Sequence, residues 1–522
     1  MPGRTGSGEA SLRASELLGA ISLATDLGTG QPNGHALRTC AAAVALAREL
    51  GLDDDGVGDV HSVALLRFLG CTADSTETGR LTGGDNLGFM AAMAPVLMGG
   101  SRETLGRFVR TVGADQPTAR RARLVARALG DPGGAARSLS MHCEVATLLA
   151  TRLGMGAGVV EALAHAYERW DGKGYPEGLA GDAIPLAVRI VAVARDVELL
   201  RRVAPDDWLE VVRARRGRAY DPAVVDAVLA DGKSRTSAAD EAGAWVAAME
   251  AEPGPVRVLG PDQLDHAVEV IGDFTDLASP WTRGHSRRVA ELAEGAARAC
   301  GLPEEDVGTL RRAGHVHDVG HVGVPIGIWD RPGSLGVDEW ERVRLHPYLS
   351  ERVLTHCSPF EPVARLAGSH HERLDGSGYH REVAGPEVPL TARILAASDV
   401  FAAVGEDRPH RAAFESAHAI DELRGEAAVG RLDGDAVEAV LSAAGHARSP
   451  TRRAWPGGLT DREVEVLRLV ARGRTNREIA GELHVSAKTV GRHVENLYTK
   501  IGVSSRAAAA VFAMQEHLLT TE

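Results

Sequence analysis

Several features that would place this chain in a familiar class of protein are missing. Its 522 residues include only five cysteines, and no two of them stand at the CxxC spacing of a zinc ribbon or suggest a disulfide framework. No apolar signal segment follows the first residues, and the longest apolar run, 87–98, is too short to span a bilayer. We therefore expect a cytoplasmic protein without a membrane segment.

Aromatic residues and positive charge are also scarce. Aromatics make up 4% of the chain, whereas it contains 60 glycines and is rich in alanine, a composition that suits close-packed helices. The formal net charge of −13 argues against a molecule that binds nucleic acid or a membrane surface as a whole. Any contact with DNA must therefore be local.

Two stretches concentrate glycine, proline, serine and charge without helical periodicity, and they are predicted to be linkers. They cover residues 231–260 and 447–458. The chain is long enough for three or four domains, and these stretches divide it into three blocks. The predicted domains are 1–230, 261–446 and 459–522.

The segment HVHDVGH, residues 315–321, places an imidazole and a carboxylate side by side at His317 and Asp318. Both can bind one metal ion, and the second carboxylate oxygen remains free for another. In isolation, such a pair is better explained as a surface histidine and a capping aspartate. Here, however, apolar residues at helical spacing direct His317 into the core, where an imidazole needs a partner or a metal.

Further side chains of the metal-binding type lie beside apolar stretches of the same block, namely His285, His346, His370, His371 and Asp399. Imidazole and carboxylate without thiolate favour iron, manganese or zinc. Seven such side chains exceed what one open catalytic metal needs. They suggest a two-metal centre, which suits phosphoryl displacement.

The order of the motifs HSRRV, HVHDVG, HHERLDGSGYH, RILAASD and DRPHR over residues 273–445 resembles the HD-GYP subfamily of HD-domain phosphohydrolases. The resemblance implies an all-helical centre with two divalent metal ions that hydrolyses cyclic di-GMP; iron is favoured, with manganese or zinc as alternatives. The ligands implied for the first metal are His285, His317, Asp318 and Asp399. Those implied for the second are His346, His370, His371 and, as the bridge, Asp318.

The same resemblance implies that Asp318 and His321 are catalytic and that His321, Tyr379, Arg408 and Arg411 contact substrate. Planar guanidinium groups suit phosphate oxygens, although both arginines are also explained as solvated surface residues. Three positions depart from the family pattern. The family's lysine is His321, which we expect to be partly protonated at pH 7, the proline of GYP is His380, and an aspartate near the last ligand is Ala402.

The N-terminal block repeats the second block at matching spacings. Positions 35 and 67 are as far apart as positions 285 and 317 (67 − 35 = 317 − 285 = 32), and positions 142 and 166 match 346 and 370 (166 − 142 = 370 − 346 = 24). The segment YERWDGKGYPEG in the first block likewise corresponds to HERLDGSGYHRE in the second. We interpret this as an internal duplication.

In the first copy most of the ligand positions are occupied by other residues, which are Arg67, Phe68, Ala166, Tyr167 and Arg195. Only His35 and His142 remain, too few for a dinuclear centre. The offset between the copies falls from 285 − 35 = 250 to 346 − 142 = 204, so the first copy carries 46 extra residues near 78–138. A lid, a pairing surface and a private piece of core are all compatible with this insertion.

The third block resembles the LuxR-type (GerE-like) helix-turn-helix. Thr460 and Glu463 form a capping box at its start, and its local charge is 9 − 8 = +1 from position 456 onward. The resemblance implies that a helix from Ser486 to Ile501 enters the major groove. Its implied phosphate contacts are Lys488, Arg492 and Lys500, and its implied base contacts are Thr489, His493 and Asn496.

We therefore expect an all-α protein with two tandem HD-type domains and a C-terminal four-helix LuxR-type domain. The expected function is a metal-dependent phosphodiesterase for cyclic di-GMP or a related nucleotide, coupled to a homodimeric regulator that binds operator DNA. The alternative is a nucleotide-sensing transcription factor with weak catalysis, in which the metals mainly hold the fold.

Overall fold

The computed structural model describes residues 12–231, 240–445, 455–516 and 518–519. Within these ranges the regular structure is helical, and the only extended pairings are isolated bridges. This confirms the predicted all-α class. No helix in the described part of the chain is both long and apolar enough to cross a bilayer.

The helices fall into three consecutive units. The helices of the N-terminal unit are α1 (Ala14–Gly28), α2 (His35–Glu49), α3 (Asp54–Leu66), α4 (Ser75–Thr82), α5 (Asn86–Met93), α6 (Ser101–Thr111), α7 (Thr118–Leu129), α8 (Gly134–Arg152), α9 (Ala157–Ala164), α10 (Leu186–Val203), α11 (Trp208–Arg215) and α12 (Pro222–Asp231).

After α13 (Glu241–Ala251), the middle unit contains α14 (Pro261–Asp276), α15 (His285–Ala299), α16 (Glu304–Val316), α17 (Ile326–Trp329), α18 (Val337–Arg344), α19 (His346–Thr355), α20 (Glu361–Ala367), α21 (Leu390–Val404), α22 (Ser416–Ala428) and α23 (Gly434–Gly445). The C-terminal unit contains α24 (Asp461–Ala471), α25 (Asn476–Glu482), α26 (Ala487–Ile501) and α27 (Arg506–Gln515). These four helices confirm the predicted fold of the third block.

The start of α15 is held in place by the buried carboxylate of Asp276 on the preceding helix. Asp276 accepts hydrogen bonds from the Ser286 backbone N–H at 3.0 Å and from its hydroxyl at 2.7 Å, and so pairs a donor that the helix leaves free. Gly284, just before the helix, has a φ of 86°, which glycine adopts without steric strain. His285 is thereby placed at the buried end of its helix.

Two glycines let backbone segments of the middle unit approach closely. A Cβ at Gly314 would lie 2.6 Å from the Cα of Ala290, so α15 and α16 pack backbone to backbone at this point. A Cβ at Gly320 would overlap the carbonyl oxygen of His346, which brings the turn after Asp318 against α19. Both approaches draw the predicted ligands toward one centre.

Within the segment 231–260, predicted to be a linker, residues 232–239 lie outside the described residues, and Glu241–Ala251 form α13. Ala244 and Ala248 of this helix are fully buried, and Trp245 stacks on His356 of the middle unit with ring centroids 4.9 Å apart. The alanine-rich helix lacks a clear amphipathic period, so the sequence pattern concealed it. In the second predicted linker, residues 447–454 lie outside the described residues.

The insertion near 78–138 forms part of the contact between the first two units. The Asn86 side chain accepts a hydrogen bond from the Ile326 backbone N–H at 2.8 Å, and the Gly84 carbonyl accepts one from Gly327 at 3.0 Å. Just before the insertion, the Thr76 hydroxyl donates to Asp330 at 2.9 Å. The insertion therefore contacts the middle unit, a role that was not among the three alternatives drawn from the sequence.

Gly314→Ala should lower the free energy of unfolding by about 1–3 kcal/mol, because its methyl group must push α15 and α16 apart. Gly308 lies on the same helix, and a Cβ there would meet nothing within 4 Å. Gly308→Ala is thus the matched control and should raise the free energy of unfolding by about 0.5–1 kcal/mol. Chemical denaturation measures both, and equal effects would contradict the close packing.

Candidate metal centre

The structure brings together all seven side chains that were predicted to bind metal. They come from helix ends and from one helix interior: His285 and His346 begin α15 and α19, His317 and Asp318 follow α16, His370 and His371 follow α20, and Asp399 lies within α21. His346, His370 and His371 form one group whose potential ligand atoms lie within 4.8 Å of one another, and His285, His317 and Asp399 form another. These two groups follow the predicted division, and a third group, His317, Asp318 and His370, spans both.

The carboxylate of Asp318 lies between the two groups. Its Oδ1 atom is 3.2 Å from Nε2 of His346 and 3.4 Å from Nε2 of His370. Its Oδ2 atom is 3.5 Å from Nε2 of His317 and 3.9 Å from Nε2 of His285. The two oxygens thus point toward different histidine groups, as a carboxylate that bridges two metal ions does.

Three of the histidines are oriented by the same local device. Nδ1 of His317, His346 and His370 donates to the backbone carbonyl three residues earlier, at distances of 2.8, 2.6 and 2.6 Å. A donating Nδ1 leaves Nε2 as the lone-pair nitrogen, and in each case Nε2 faces Asp318. The rings are therefore oriented for metal binding.

At His317 and Asp318, the local electrostatics favour the protonation states that metal ligands require. Burial lowers the pKa of His317 to about 4, so its imidazole is neutral at pH 7. Burial by itself would raise the pKa of Asp318, but its interactions with the neighbouring imidazoles of His317, His346 and His370 hold that pKa well below its usual range. The carboxylate is therefore ionised.

Several buried polar atoms of the centre lack a hydrogen-bond partner. They are Nε2 of His317, Oδ1 of Asp318 and Nδ1 of His371. Unpaired buried polar atoms are costly, and all three belong to side chains whose chemistry suits a divalent transition metal. The residues present therefore fit two metal ions of this kind.

Glu406 is a component of the centre that the sequence analysis missed. Its carboxylate oxygens lie 3.1 and 3.2 Å from Nδ1 of His285, and Asp399 faces the other ring nitrogen at 3.2 Å. Burial opposes a charge on His285, but Glu406 and Asp399 raise its pKa well above the usual value. Glu406 lies two residues beyond the end of α21, which carries Asp399, and directly before the DRPHR segment, and this position was the available signal.

Three of the predicted substrate contacts surround the centre. The His321 ring stacks on Trp329 at a centroid distance of 3.8 Å, and the Tyr379 ring packs 4.2 Å from that of His371. Arg408 donates to Glu406 at 2.8 Å, which places its guanidinium beside the first histidine group.

Two expectations about these residues are corrected. Burial lowers the pKa of His321 to about 3, so the ring is neutral rather than partly protonated at pH 7. The guanidinium of Arg411 donates to the carbonyls of Ala403, Val404 and Glu406 and thereby caps the end of α21. Its two terminal nitrogens therefore donate to backbone carbonyls, so the guanidinium is less available to a phosphate than predicted.

One close backbone approach of the middle unit also occurs in the N-terminal unit, at the positions that the predicted duplication pairs. A Cβ at Gly70 would overlap the carbonyl oxygen of His142, as Gly320 does with His346. Arg67 and Arg195 are buried there, and their guanidinium carbons lie 5.8 and 5.6 Å from the ring centroid of Phe68. Groups of potential metal ligands occur in the described residues only in the middle unit.

The predicted DNA contacts lie on α26, which Ser486 caps through a hydrogen bond to the Thr489 N–H at 3.1 Å. Lys488, Arg492 and Asn496 are exposed, whereas Thr489 and His493 are half-buried. Lys500 is exposed too, but its ammonium donates to Glu463 at 2.7 Å. That ion pair ties the end of α26 to α24, so Lys500 is less available to phosphate than predicted.

Comparison with known families agrees with this arrangement. The family model described as "HD domain" matches residues 136–224 and 269–436, one segment in each of the first two units. The family model described as "Bacterial regulatory proteins, luxR family" matches residues 458–513.

Individual relatives extend this comparison to most of the chain. The 3'3'-cGAMP-specific phosphodiesterase 3 of Vibrio cholerae is 32% identical over 405 residues, which cover 76% of this chain and 88% of that protein. A cyclic di-GMP phosphodiesterase of Thermotoga maritima is 33% identical over 152 residues, which cover 29% of this chain and 41% of that protein.

A solved structure supports the same relationship. The crystal structure of a cyclic GMP-AMP specific phosphodiesterase of V. cholerae superposes with a TM-score of 0.57 at 27% identity and covers 84% of this chain and 99% of that one. The two phosphodiesterases and the HD-domain match agree with the motif order around Asp318. The chain therefore belongs to the HD-GYP family of HD-domain phosphodiesterases, as a member that also contains a LuxR-type regulatory domain.

Proposed function

We propose that the middle unit hydrolyses a cyclic dinucleotide at a dinuclear metal centre and that nucleotide binding is coupled to DNA binding by the C-terminal unit. The observation that supports the centre most strongly is Asp318, whose two oxygens face separate histidine groups. His285, His317 and Asp399 would hold one metal, and His346, His370 and His371 the other. When bound, the ions supply the water activation and charge neutralisation that phosphodiester hydrolysis requires.

We propose 3'3'-cGAMP as the first substrate to test and cyclic di-GMP as the second. The support is the V. cholerae relative, whose name specifies 3'3'-cGAMP and which matches the chain over 405 residues. The relative whose name specifies cyclic di-GMP matches over 152 residues. Both molecules carry two phosphodiesters, so the phosphate chemistry of the site is the same for either.

Side chains around the centre have separate roles in this proposal. Arg408 binds a phosphate oxygen, because Glu406 holds its guanidinium beside His285. Tyr379 donates a hydrogen bond, since burial raises its pKa to about 12 and keeps the hydroxyl protonated. His321, neutral and stacked on Trp329, lines the site without adding charge. This last feature favours the alternative function, a sensor with slow turnover.

We further propose that the N-terminal unit is a duplicated HD-type copy that has lost its metals. The support comes from the matching sequence spacings, from helix lengths and from equivalent hydrogen bonds. α2 and α15 each have 15 residues and follow a glycine with positive φ, and α3 and α16 each have 13 residues. The buried Asp26 accepts from the Ala36 N–H at 3.2 Å, as Asp276 does from Ser286.

Coupling to DNA is supported by contacts between the C-terminal unit and segments beside the metal centre. Arg283, two residues before His285, donates to the Ala471 carbonyl at the end of α24. Arg474 lies 3.9 Å from Asp407, the neighbour of Arg408, and its guanidinium carbon is 5.7 Å from the Trp281 ring centroid. A change in either segment on nucleotide binding would therefore reach the LuxR-type domain.

For action on DNA, we propose that α26 enters the major groove in the cytoplasm, with Lys488, Arg492 and Asn496 as its most exposed contacts. Thr489 and His493 lie toward the same face. A protein with a net charge of −13 is a weak general binder of DNA, so we expect a homodimer to supply the affinity that one unit lacks.

Asp318→Ala should remove both metal ions and lower turnover of 3'3'-cGAMP on the order of 100-fold or more, because the variant loses the group shared by both sites. Metal content per chain by mass spectrometry and product analysis measure these effects. His35→Ala is the control, because position 35 of the first unit is paired with the predicted ligand His285. This variant should change neither metal content nor turnover. Equal metal loss in the two variants would refute the assignment. Full metal content without turnover of either dinucleotide in the wild-type protein would instead favour the sensor.

Arg492→Ala should weaken binding to all DNA sequences and lower the salt dependence by about one counterion, because it removes a phosphate contact. Asn496→Ala should mainly reduce the preference for the operator over unrelated DNA. Fluorescence anisotropy over a range of salt concentrations separates the two effects. If Asn496→Ala changed the salt slope and left sequence preference intact, these roles would be wrong.

Operator DNA should change the affinity for a hydrolysis-resistant phosphorothioate analogue of the cyclic dinucleotide, because linkage between two binding sites is reciprocal. Operator DNA should change the affinity for the analogue by the same factor by which the analogue changes the affinity for operator DNA. Calorimetric titrations with and without operator provide both values. Arg474→Ala should reduce the factor while leaving metal content intact, and an unchanged analogue affinity in the presence of operator would show that the units are uncoupled.

A further inference from the structure

The N-terminal unit contains an excess of buried positive charge at the place that corresponds to the metal centre. Arg67, Arg195 and Arg215 are 2%, 2% and 6% exposed, and the buried carboxylate among them is Asp196. Asp196 accepts bonds from Arg195, from Arg215 at 2.9 Å and from the Tyr220 hydroxyl. These bonds tie Asp196 to Arg195, Arg215 and Tyr220, and no hydrogen bond joins it to Arg67.

Arg67 has no hydrogen-bond acceptor in the described residues. All three of its guanidinium nitrogens are buried and unpartnered. The rings of Phe68 and Tyr167 lie 5.8 and 5.6 Å from its guanidinium carbon. Aromatic rings attract a cation, but they do not replace in-plane acceptors for five N–H groups.

A buried base can often avoid this cost by losing its proton, but arginine is an exception. Burial and the neighbouring Arg195 lower the pKa of Arg67 from its ordinary value of 12.5. A guanidinium nevertheless remains protonated in proteins near neutral pH. Its charge must therefore be balanced by a group other than a protein carboxylate.

Other groups nearby do not supply the missing negative charge. His142 faces Asp74 at 2.9 Å, and the two form a pair of their own. Glu103, which is half-exposed, contacts Arg215 at 3.3 Å. His35 is fully buried with both ring nitrogens unpartnered, and Arg195 is the charged neighbour that lowers its pKa most. The three guanidinium groups carry three positive charges, whereas the carboxylates of Asp196 and Glu103 carry two negative charges. One positive charge therefore remains unbalanced.

We propose that the N-terminal unit binds a small inorganic oxyanion of the phosphate class at Arg67, with Arg195 as the second cation. Planar guanidinium groups match oxyanions through paired N–H donors. Phosphate carries one to two negative charges at neutral pH, which balances the excess. The matching positions of the middle unit carry side chains that bind cations, whereas these positions carry arginines that bind an anion. This proposal does not depend on which nucleotide the middle unit hydrolyses.

The test measures thermal unfolding of the full chain in sodium phosphate, sodium chloride and sodium gluconate at matched ionic strength. For the wild type, phosphate should raise the lowest melting temperature saturably by a few degrees, because a ligand that binds only the folded state stabilises it. Arg67→Met should abolish this response. It should also melt at a higher temperature than the wild type in gluconate, since methionine removes an unpaired buried charge at similar volume.

Further variants distinguish the Arg67 site from the metal centre and from the general effect of losing a buried arginine. Asp318→Asn should keep the phosphate response, whereas phosphate bound at the metal centre would lose it. Arg215→Met changes a buried arginine that is fully paired, and should lower the melting temperature in every salt. Arg67→Lys keeps the charge without the planar fork and should weaken phosphate binding about tenfold or more.

The proposal is overturned by a phosphate response that survives in Arg67→Met, by an equal response to chloride, or by no response in the wild type. If Arg67→Met does not fold, equilibrium dialysis of labelled phosphate against wild type, Arg67→Lys and Asp318→Asn decides the question. One phosphate that is retained by Asp318→Asn and weakened by Arg67→Lys supports the site. One that is lost by Asp318→Asn refutes it.

Discussion

The interaction on which the middle unit depends is that between the buried carboxylate of Asp318 and the histidines on either side of it. A buried carboxylate is expensive unless it is paired, and here four imidazole nitrogens lie within 3.9 Å of its two oxygens. The helices next to these imidazoles, α15, α16, α19 and α20, also contribute buried residues to the hydrophobic core.

Two features of the backbone hold the histidines around Asp318, namely hydrogen bonds to the rings and close approaches at glycines. Carbonyl oxygens three residues before His317, His346 and His370 accept from Nδ1 and fix the ring orientations. Gly314 and Gly320 then remove the side chains that would keep those backbone segments apart. In the N-terminal unit, Gly70 comes equally close to the backbone of His142, and the buried side chains there include Arg67 and Arg195. The same close approach thus occurs beside metal-binding histidines in one unit and beside buried arginines in the other.

Helical periodicity and the family resemblance predicted the all-helical class, and the order of the histidines and aspartates predicted the seven side chains that the structure brings together. Their division between two metal ions was implied by the resemblance alone. Two features were invisible at that level. Glu406 lies outside the named motifs, and its role follows from its 3.1 Å approach to His285. Arg411 carries the charge of a phosphate ligand, yet four carbonyls around the end of α21 accept its hydrogen bonds. Residue type indicates what a side chain can bind, whereas its neighbours decide what it does bind.

By itself, the sequence determined the helical periodicity, the capping residues, the ligand types and the repeat of one block in another, because all of these are local in the chain. Only the tertiary structure decided which oxygen of Asp318 faces which histidine, that α13 packs into the core and that His321 is neutral. It also decided that Arg67 is buried without an acceptor. These properties depend on burial and on distances between residues far apart in sequence, and no local pattern encodes either.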